Sequence, residues 1–157
     1  MTDRTTDRAL FEQVGEIIRG STPPGLGTPH VQVRHNGVKA WFGDPAPQRE
    51  HYEAQIIPAD IAPGTRTRAI EIGFHAEHRD EPDNEAALAR LLTTEPAWRA
   101  ELGDEPVTGV FLGRDVWRRI SETWPDPDLA EPDITFDIGV RLVDYIRALE
   151  PHRRHRV

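Results

Sequence analysis

Cysteine is absent from the 157 residues, which removes disulfides, zinc-thiolate sites, thiol nucleophiles and iron-sulfur ligation together. Lysine is nearly absent as well. Lys39 follows Gly37-Val38 with no glycine-rich loop before it, so a phosphate-cradling Gly-Lys-Ser/Thr motif cannot be built. The only serines, Ser21 and Ser121, lie outside any Gly-x-Ser-x-Gly elbow, which argues against serine hydrolysis. No apolar run approaches the roughly 18 residues of a membrane span, and the start, Met1 to Arg8, has no apolar signal-peptide core. The expected location is the cytoplasm, with no membrane partner. Basic residues are outnumbered, 27 acids against 19 bases for a net charge of −8, which works against general affinity for nucleic-acid phosphates. The chemistry left to this chain belongs to arginine, histidine, carboxylates and hydroxyls.

What is present is a strong binary pattern. Between His30 and His78, four short stretches alternate apolar and polar residues, as strands of one antiparallel sheet do. One face carries Val31, Val33, Val38, Ala40, Phe42, Tyr52, Ala54, Ile56, Ile70, Ile72 and Phe74. The other carries Gln32, Arg34, Lys39, Trp41, His51, Glu53, Gln55, Glu71, His75 and Glu77. A slip of one residue inverts the two sets, so the alternation dictates which looks inward. Asn36-Gly37 between two such runs is a strong hairpin signal. A two-residue turn there pairs 35 with 38, 33 with 40 and 31 with 42, and sets Arg34 opposite Lys39.

Helical spacing brackets this sheet. Leu10, Phe11, Val14, Ile17 and Ile18 recur from a cap at Thr6 to a stop at Gly20. Asp80 or Asp83 caps a helix bearing Leu88, Leu91 and Leu92, and a second piece starts after Thr94 with Pro96 and carries Trp98 and Leu102. A fifth strand is expected over Val107 to Leu112, followed by helix-spaced Trp117, Ile120 and Trp124. Ile134 to Leu142 alternates like a strand, yet the helical pattern continues to Leu149, which favours a helix despite Gly139. Pro151 to Val157 reads as a solvated basic tail, mobile like the polar start. The expectation is one domain over 1–157: an α+β fold with a four- to five-stranded, mainly antiparallel sheet and helices on one face.

Three constellations on the polar face carry chemistry. The basic pair Arg34 and Lys39, with Trp41 and the histidines, suits a groove for a protein or for a small anionic or aromatic ligand. The plain alternative is a solvated face whose Glu53, Glu71 and Glu77 balance the cations. Imidazoles and carboxylates are also ligands for a divalent metal. His75 and His78, three apart on a strand, point to opposite faces, whereas His51, Glu71 and His75 share one and would leave coordination positions open. His35 reads as a partly buried edge residue. The fifth strand is an edge through which two copies could pair.

The order helix, strands, helix, strand over Leu10 to Leu112 resembles the restriction-endonuclease-like fold, whose pattern is an acid on one strand and Glu-x-Lys on the next. That resemblance implies Asp44 as the first acid, Glu53 as the second and Glu12 or Glu16 as the helix acid, around Mg²⁺. Gln55 stands where the family has lysine. The stretch Ala69 to Trp117 also resembles uncharacterised bacterial domains found beside nuclease-like modules. Two functions are therefore carried forward. The first is a non-enzymatic binding module without a cofactor, using Arg34, Lys39, Trp41, His51, Glu53, Gln55, Glu71 and His75. The second is a divergent metal-dependent hydrolase of nuclease-like architecture.

Overall fold

The computed structural model describes residues 4–154. Its elements are α1 (Arg4–Ser21), β1 (His30–Arg34), β2 (Gly37–Trp41), β3 (Glu50–Pro58), β4 (Arg68–Ala76), α2 (Glu81–Leu92), α3 (Glu95–Leu102), β5 (Val107–Phe111), β6 (Arg114–Pro125) and α4 (Ile134–Arg154). The strands form one antiparallel sheet in the order β1-β2-β3-β4-β6-β5. The fold is α+β, and the sheet has six strands rather than four or five. Among the described residues no helix is long and apolar enough to cross a membrane.

The extra strand is β6, whose Trp117, Ile120 and Trp124 follow a helical spacing although the segment is a strand. Two facts outweigh that coincidence. Gly113 adopts φ +78°, a conformation glycine takes readily, so the chain reverses in two residues and pairs Phe111 with Arg114. β6 then pairs along β4 from Arg118 opposite Ala76 to Pro125 opposite Ala69, and a long ladder to a central strand overrides weak local preference.

The first hairpin turns at His35-Asn36, with Arg34 opposite Gly37 and Val33 opposite Val38. His35 is thus an exposed turn residue, and Arg34 does not face Lys39, which lies opposite Gln32. This register differs from the Asn36-Gly37 turn by two residues, an even number, so every side chain keeps its expected face. The turn moves because β3 crowds Gly37: a Cβ there would stand 2.9 Å from the Ala54 carbonyl oxygen. Bare backbone at that position also lets Arg34 reach across to β3.

The helices cover the predicted apolar face. Leu10, Phe11, Val14 and Ile18 of α1 and Ile138, Leu142, Tyr145, Ile146 and Leu149 of α4 share a core with Val38, Ala40, Tyr52, Ala54, Ile70, Ile72, Phe74 and Ile120. Gly139, which argued against a helix, sits where α1 crosses α4; a Cβ there would lie 2.7 Å from the Ile17 side chain. The cap expected at Thr6 falls inside α1, which is described from Arg4. The basic end is helical through Arg154 rather than a solvated tail. Arg153 and Arg154 both pair with Glu150, which is buried and also accepts the Tyr52 hydroxyl at 2.9 Å. Residues 155–157 of that tail lie outside the described residues.

The β3–β4 connection is pinned by Asp126, whose carboxylate accepts the backbone N–H groups of Arg66 and Thr67 at 2.8 to 3.1 Å and the Thr67 hydroxyl at 2.9 Å. The Arg66 N–H contributes most to lowering the Asp126 pKa, from 3.8 to about 2. A depressed carboxylate stabilises the fold above its unfolded pKa and ceases to do so as pH falls through its folded one. The amide proton shifts of Arg66 and Thr67 should therefore hold down to pH 3 and change with a midpoint near pH 2; a midpoint near 3.8 would show the clip to be absent.

Candidate metal centre

Around His51, Glu53, Glu71 and His75 the polar face is closed to water, while Gln32, Arg34, Lys39 and Gln55 keep some exposure. His75 and Glu71 are fully buried, and His51 and Glu53 are 2% exposed. The β5–β6 hairpin accounts for the cover: bent by a bulge at Val110/Phe111, it lays the Phe111 ring edge-on against His75 with centroids 4.6 Å apart, and Trp117 backs Phe111 at 5.7 Å. Leu112 and Gly113 at its tip reach Ile61, which follows β3 in a short 3-10 turn. There they close a small apolar cluster of Ile57, Ala62 and Ala69 at the end of the same sheet face.

Beneath that cover, β3 and β4 bring four side chains together. His51 lies opposite His75 and Glu53 opposite Gly73, while Glu77 continues the β4 parity one step beyond the strand. Glu53 Oε1 is 3.1 Å from His51 Nε2 and 3.2 Å from His75 Nδ1. Glu77 Oε2 is 3.3 Å from the same His51 nitrogen and 3.1 Å from the same His75 nitrogen. The four atoms, two nitrogens and two oxygens in alternation, all lie within 4.8 Å of one another. A ring with such edges has its centre about 2 Å from each atom, the length of a bond from zinc to nitrogen or oxygen.

The outward nitrogens set the tautomers. His51 Nδ1 is 2.9 Å from the Gln48 carbonyl oxygen, which only accepts, so Nδ1 carries a proton. His75 Nε2 is 2.7 Å from Glu71 Oε2, and donates to it. Glu71 is itself held by Gln55, whose side-chain amide donates at 3.0 Å. A neutral imidazole protonated on the outside presents a lone pair on the inside. His51 Nε2 and His75 Nδ1 would then join two carboxylate oxygens as four converging acceptors. Positive charge must lie among them, as a metal ion or as protons on both rings. Without an ion, protonation of the rings is favoured. Burial opposes charge on His51 and His75, but hydrogen bonds to Glu53 and Glu77, and the Glu71 charge beside His75, leave both pKa values raised. Burial opposes charge on Glu53 too, yet the two imidazoles bring its pKa down to about 2, and they lower Glu77 further still.

Two guanidiniums border the cluster. Arg34 pairs with the second oxygen of Glu53. Arg119, across from His75 on β6, is 8% exposed and bonds Ser121 Oγ at 3.0 Å; its burial lowers its pKa. Arg34 Nε and Arg119 Nε are buried donors with no partner in the protein.

Of the eight residues nominated from sequence, His51, Glu53 and His75 enter the cluster, and Glu71, Gln55 and Arg34 support it. Lys39 sits opposite Glu53 without joining it. Trp41 is 4% exposed, contacts the His30 ring and donates its indole N–H to the Asp44 carbonyl at 3.0 Å. Its burial withdraws it as an exposed anchor. Glu71 orients His75 instead of facing the centre, because its partner is the outward nitrogen. His78, beyond the end of β4 at Ala76, turns away to Glu50 at 2.7 Å. Of the acids nominated by nuclease-like resemblance only Glu53 is present: Asp44 binds the Ala46 N–H, and Glu12 and Glu16 pair with Arg8 and Arg19 on the exposed face of α1. Glu77 was legible as a polar-face residue; its role as a fourth member needed the strand end. Arg119 and Ser121 were not legible, since the segment around 117–124 read as a helix, and Phe111, though on the expected fifth strand, gave no sign that this strand would fold over the face. Comparison with family models, curated proteins and solved structures finds no match for this chain.

Proposed function

We propose that the protein is a metal-dependent enzyme whose divalent ion is held by His51, Glu53, His75 and Glu77. The convergence of four ligand atoms, with both imidazoles protonated on their outer nitrogens, carries this reading. Metal-binding histidines characteristically give their second N–H to a carbonyl or carboxylate, which orients the ring and raises its basicity; Gln48 and Glu71 do so here. Two histidines with carboxylates suit Zn²⁺, Mn²⁺ or Fe²⁺. His51, Glu53 and His75 are sealed under the hairpin, whereas the Glu77 side chain is 12% exposed, so Glu77 stands at the only ligand edge that meets solvent.

The reaction class that fits is hydrolysis. A bound divalent ion lowers the pKa of a coordinated water toward neutrality and polarises an oxygen of the substrate. Glu77 would hold the ion at the solvent edge, Arg34 holds Glu53 in place through its other oxygen, and Phe111 excludes water from behind His75. The solvated binding face, the other reading of the sequence, keeps Arg34, Lys39 and Gln55 partly exposed, whereas Trp41, His51, Glu53, Glu71 and His75 are buried and unavailable to a partner at the surface.

Chelator-treated protein should gain stability on titration with Zn²⁺ or Mn²⁺, by about 2.7 kcal/mol at a hundredfold excess over the dissociation constant. Differential scanning fluorimetry reads the shift in melting temperature, and elemental analysis should return one ion per chain. An unmoved melting temperature with Zn²⁺, Mn²⁺, Fe²⁺ and Mg²⁺ alike would overturn the proposal.

A further inference from the structure

A cavity of about 600 Å³ adjoins the cluster, lined by Arg49, Glu77, Arg79, Arg114, Asp115 and Trp117 among others. Its volume falls in the range of small-molecule sites. Glu77 belongs to both the cavity wall and the four-ligand ring, so whatever fills the cavity lies beside the ion.

The cavity is cationic in an acidic protein. Several arginines elsewhere are matched, Arg118 with Glu81 and Glu85, Arg141 with Glu122, Arg153 and Arg154 with Glu150, and the unmatched ones outside the cavity, such as Arg66, Arg90 and Arg147, are not gathered around a common hollow. Among the described residues Arg49, Arg79 and Arg114 have no acidic partner, and they come from three separate points of the chain, ahead of β3, after β4 and at the start of β6. Arg114 is held in place by stacking, its guanidinium 4.2 Å above the Trp117 ring, which leaves its N–H edge free for an acceptor. Arg49 is tied to the site through the backbone, since the Glu77 N–H donates to the Arg49 carbonyl at 2.8 Å, and Arg79 lies two residues after Glu77. Glu77 is turned toward the imidazoles, so Asp115 is the one carboxylate left to offset three guanidiniums.

Resting on the metal-centre reading and deepening it, we infer that the substrate is a small phosphate monoester, its phosphoryl group gripped by Arg49, Arg79 and Arg114 with the reacting bond directed past Glu77. A forked guanidinium matches phosphate oxygens in pairs, and three of them suit a dianionic group with three terminal oxygens. Hydrolysis there adds water across the P–O ester bond, the water hydroxyl going to phosphorus and its proton to the leaving alkoxide, so no co-reactant is required.

Inorganic phosphate is the probe. Titrated by calorimetry into chelator-treated protein at constant ionic strength, it should bind saturably. Arg79→Gln and Arg114→Gln should each weaken it about tenfold, while Arg90→Gln, an exposed arginine on α2, should not. All three variants should keep the metal-induced rise in melting temperature. Absence of saturable phosphate binding, or equal loss in Arg90→Gln, overturns the subsite and leaves the metal centre standing if ions still stabilise. Arginine-dependent phosphate binding without any metal-induced stabilisation upholds the anion subsite and removes the metal centre.

Discussion

Replacing His75 with alanine is expected to abolish divalent-ion binding and to cost about 3–5 kcal/mol of stability even without metal. His75 touches three carboxylates at once, Glu53, Glu71 and Glu77, at 2.7 to 3.2 Å. Its side chain is wholly buried, so water cannot take its place without opening the Phe111 cover. Removing one partner from a buried charged group leaves the others desolvated and unbalanced, which is costlier than never having had the pair. Glu71→Gln should behave differently. Its amide oxygen still accepts the His75 Nε2–H, while its new amide N–H faces Gln55, whose side-chain amide can flip to accept it, so ion affinity should drop by about 10- to 100-fold with a smaller loss of stability. Urea unfolding and ion titration on both variants separate the two roles. Early unfolding of His75→Ala together with a wild type that does not respond to ions would mean that the cluster is a structural ion-pair network and nothing more.

Gly73→Ala should be the most damaging substitution of a glycine in the sheet, on the order of 3 kcal/mol or more. Gly73 holds φ +154° in the middle of β4. A Cβ at that position would stand 2.3 Å from the Ile120 carbonyl oxygen and 2.6 Å from the Ser121 Cα. Backbone cannot rotate out of the way as a side chain can, so β4 and β6 would have to separate. Gly73 also lies in the row Glu53, Gly73, Ser121 across β3, β4 and β6, directly under the cluster. Separation of those strands should weaken ion binding along with stability. An alanine variant with unchanged urea midpoint and unchanged ion affinity would show that the close approach is not maintained in solution.

These two residues mark opposite ends of legibility. His75 was readable because strand parity alone places it beside His51, Glu53 and Glu71. Gly73 carried no signal, since nothing local says that a neighbouring backbone will arrive at that point. The same division runs through the fold. The first hairpin turned one residue earlier than its Asn-Gly dipeptide indicated, yet no side chain changed faces. Around Trp117, Ile120 and Trp124 the local period indicated a helix, and pairing with β4 made the segment a strand instead.

The sequence by itself determined the α+β class, the antiparallel pleat, the helices at both ends and the sorting of His51, Glu53, Glu71 and His75 onto one face. All of these follow from periodicity, which short-range geometry enforces residue by residue. Only the tertiary structure decided that the face is roofed, that Trp41 is buried, that Glu77 rather than Glu71 completes the ring, and that Arg49, Arg79 and Arg114 surround one cavity. Each of those depends on where the β5–β6 hairpin bends and lands. That is a contact between residues far apart in the chain, chosen by shape and burial across the whole molecule, and no window of neighbouring residues records it.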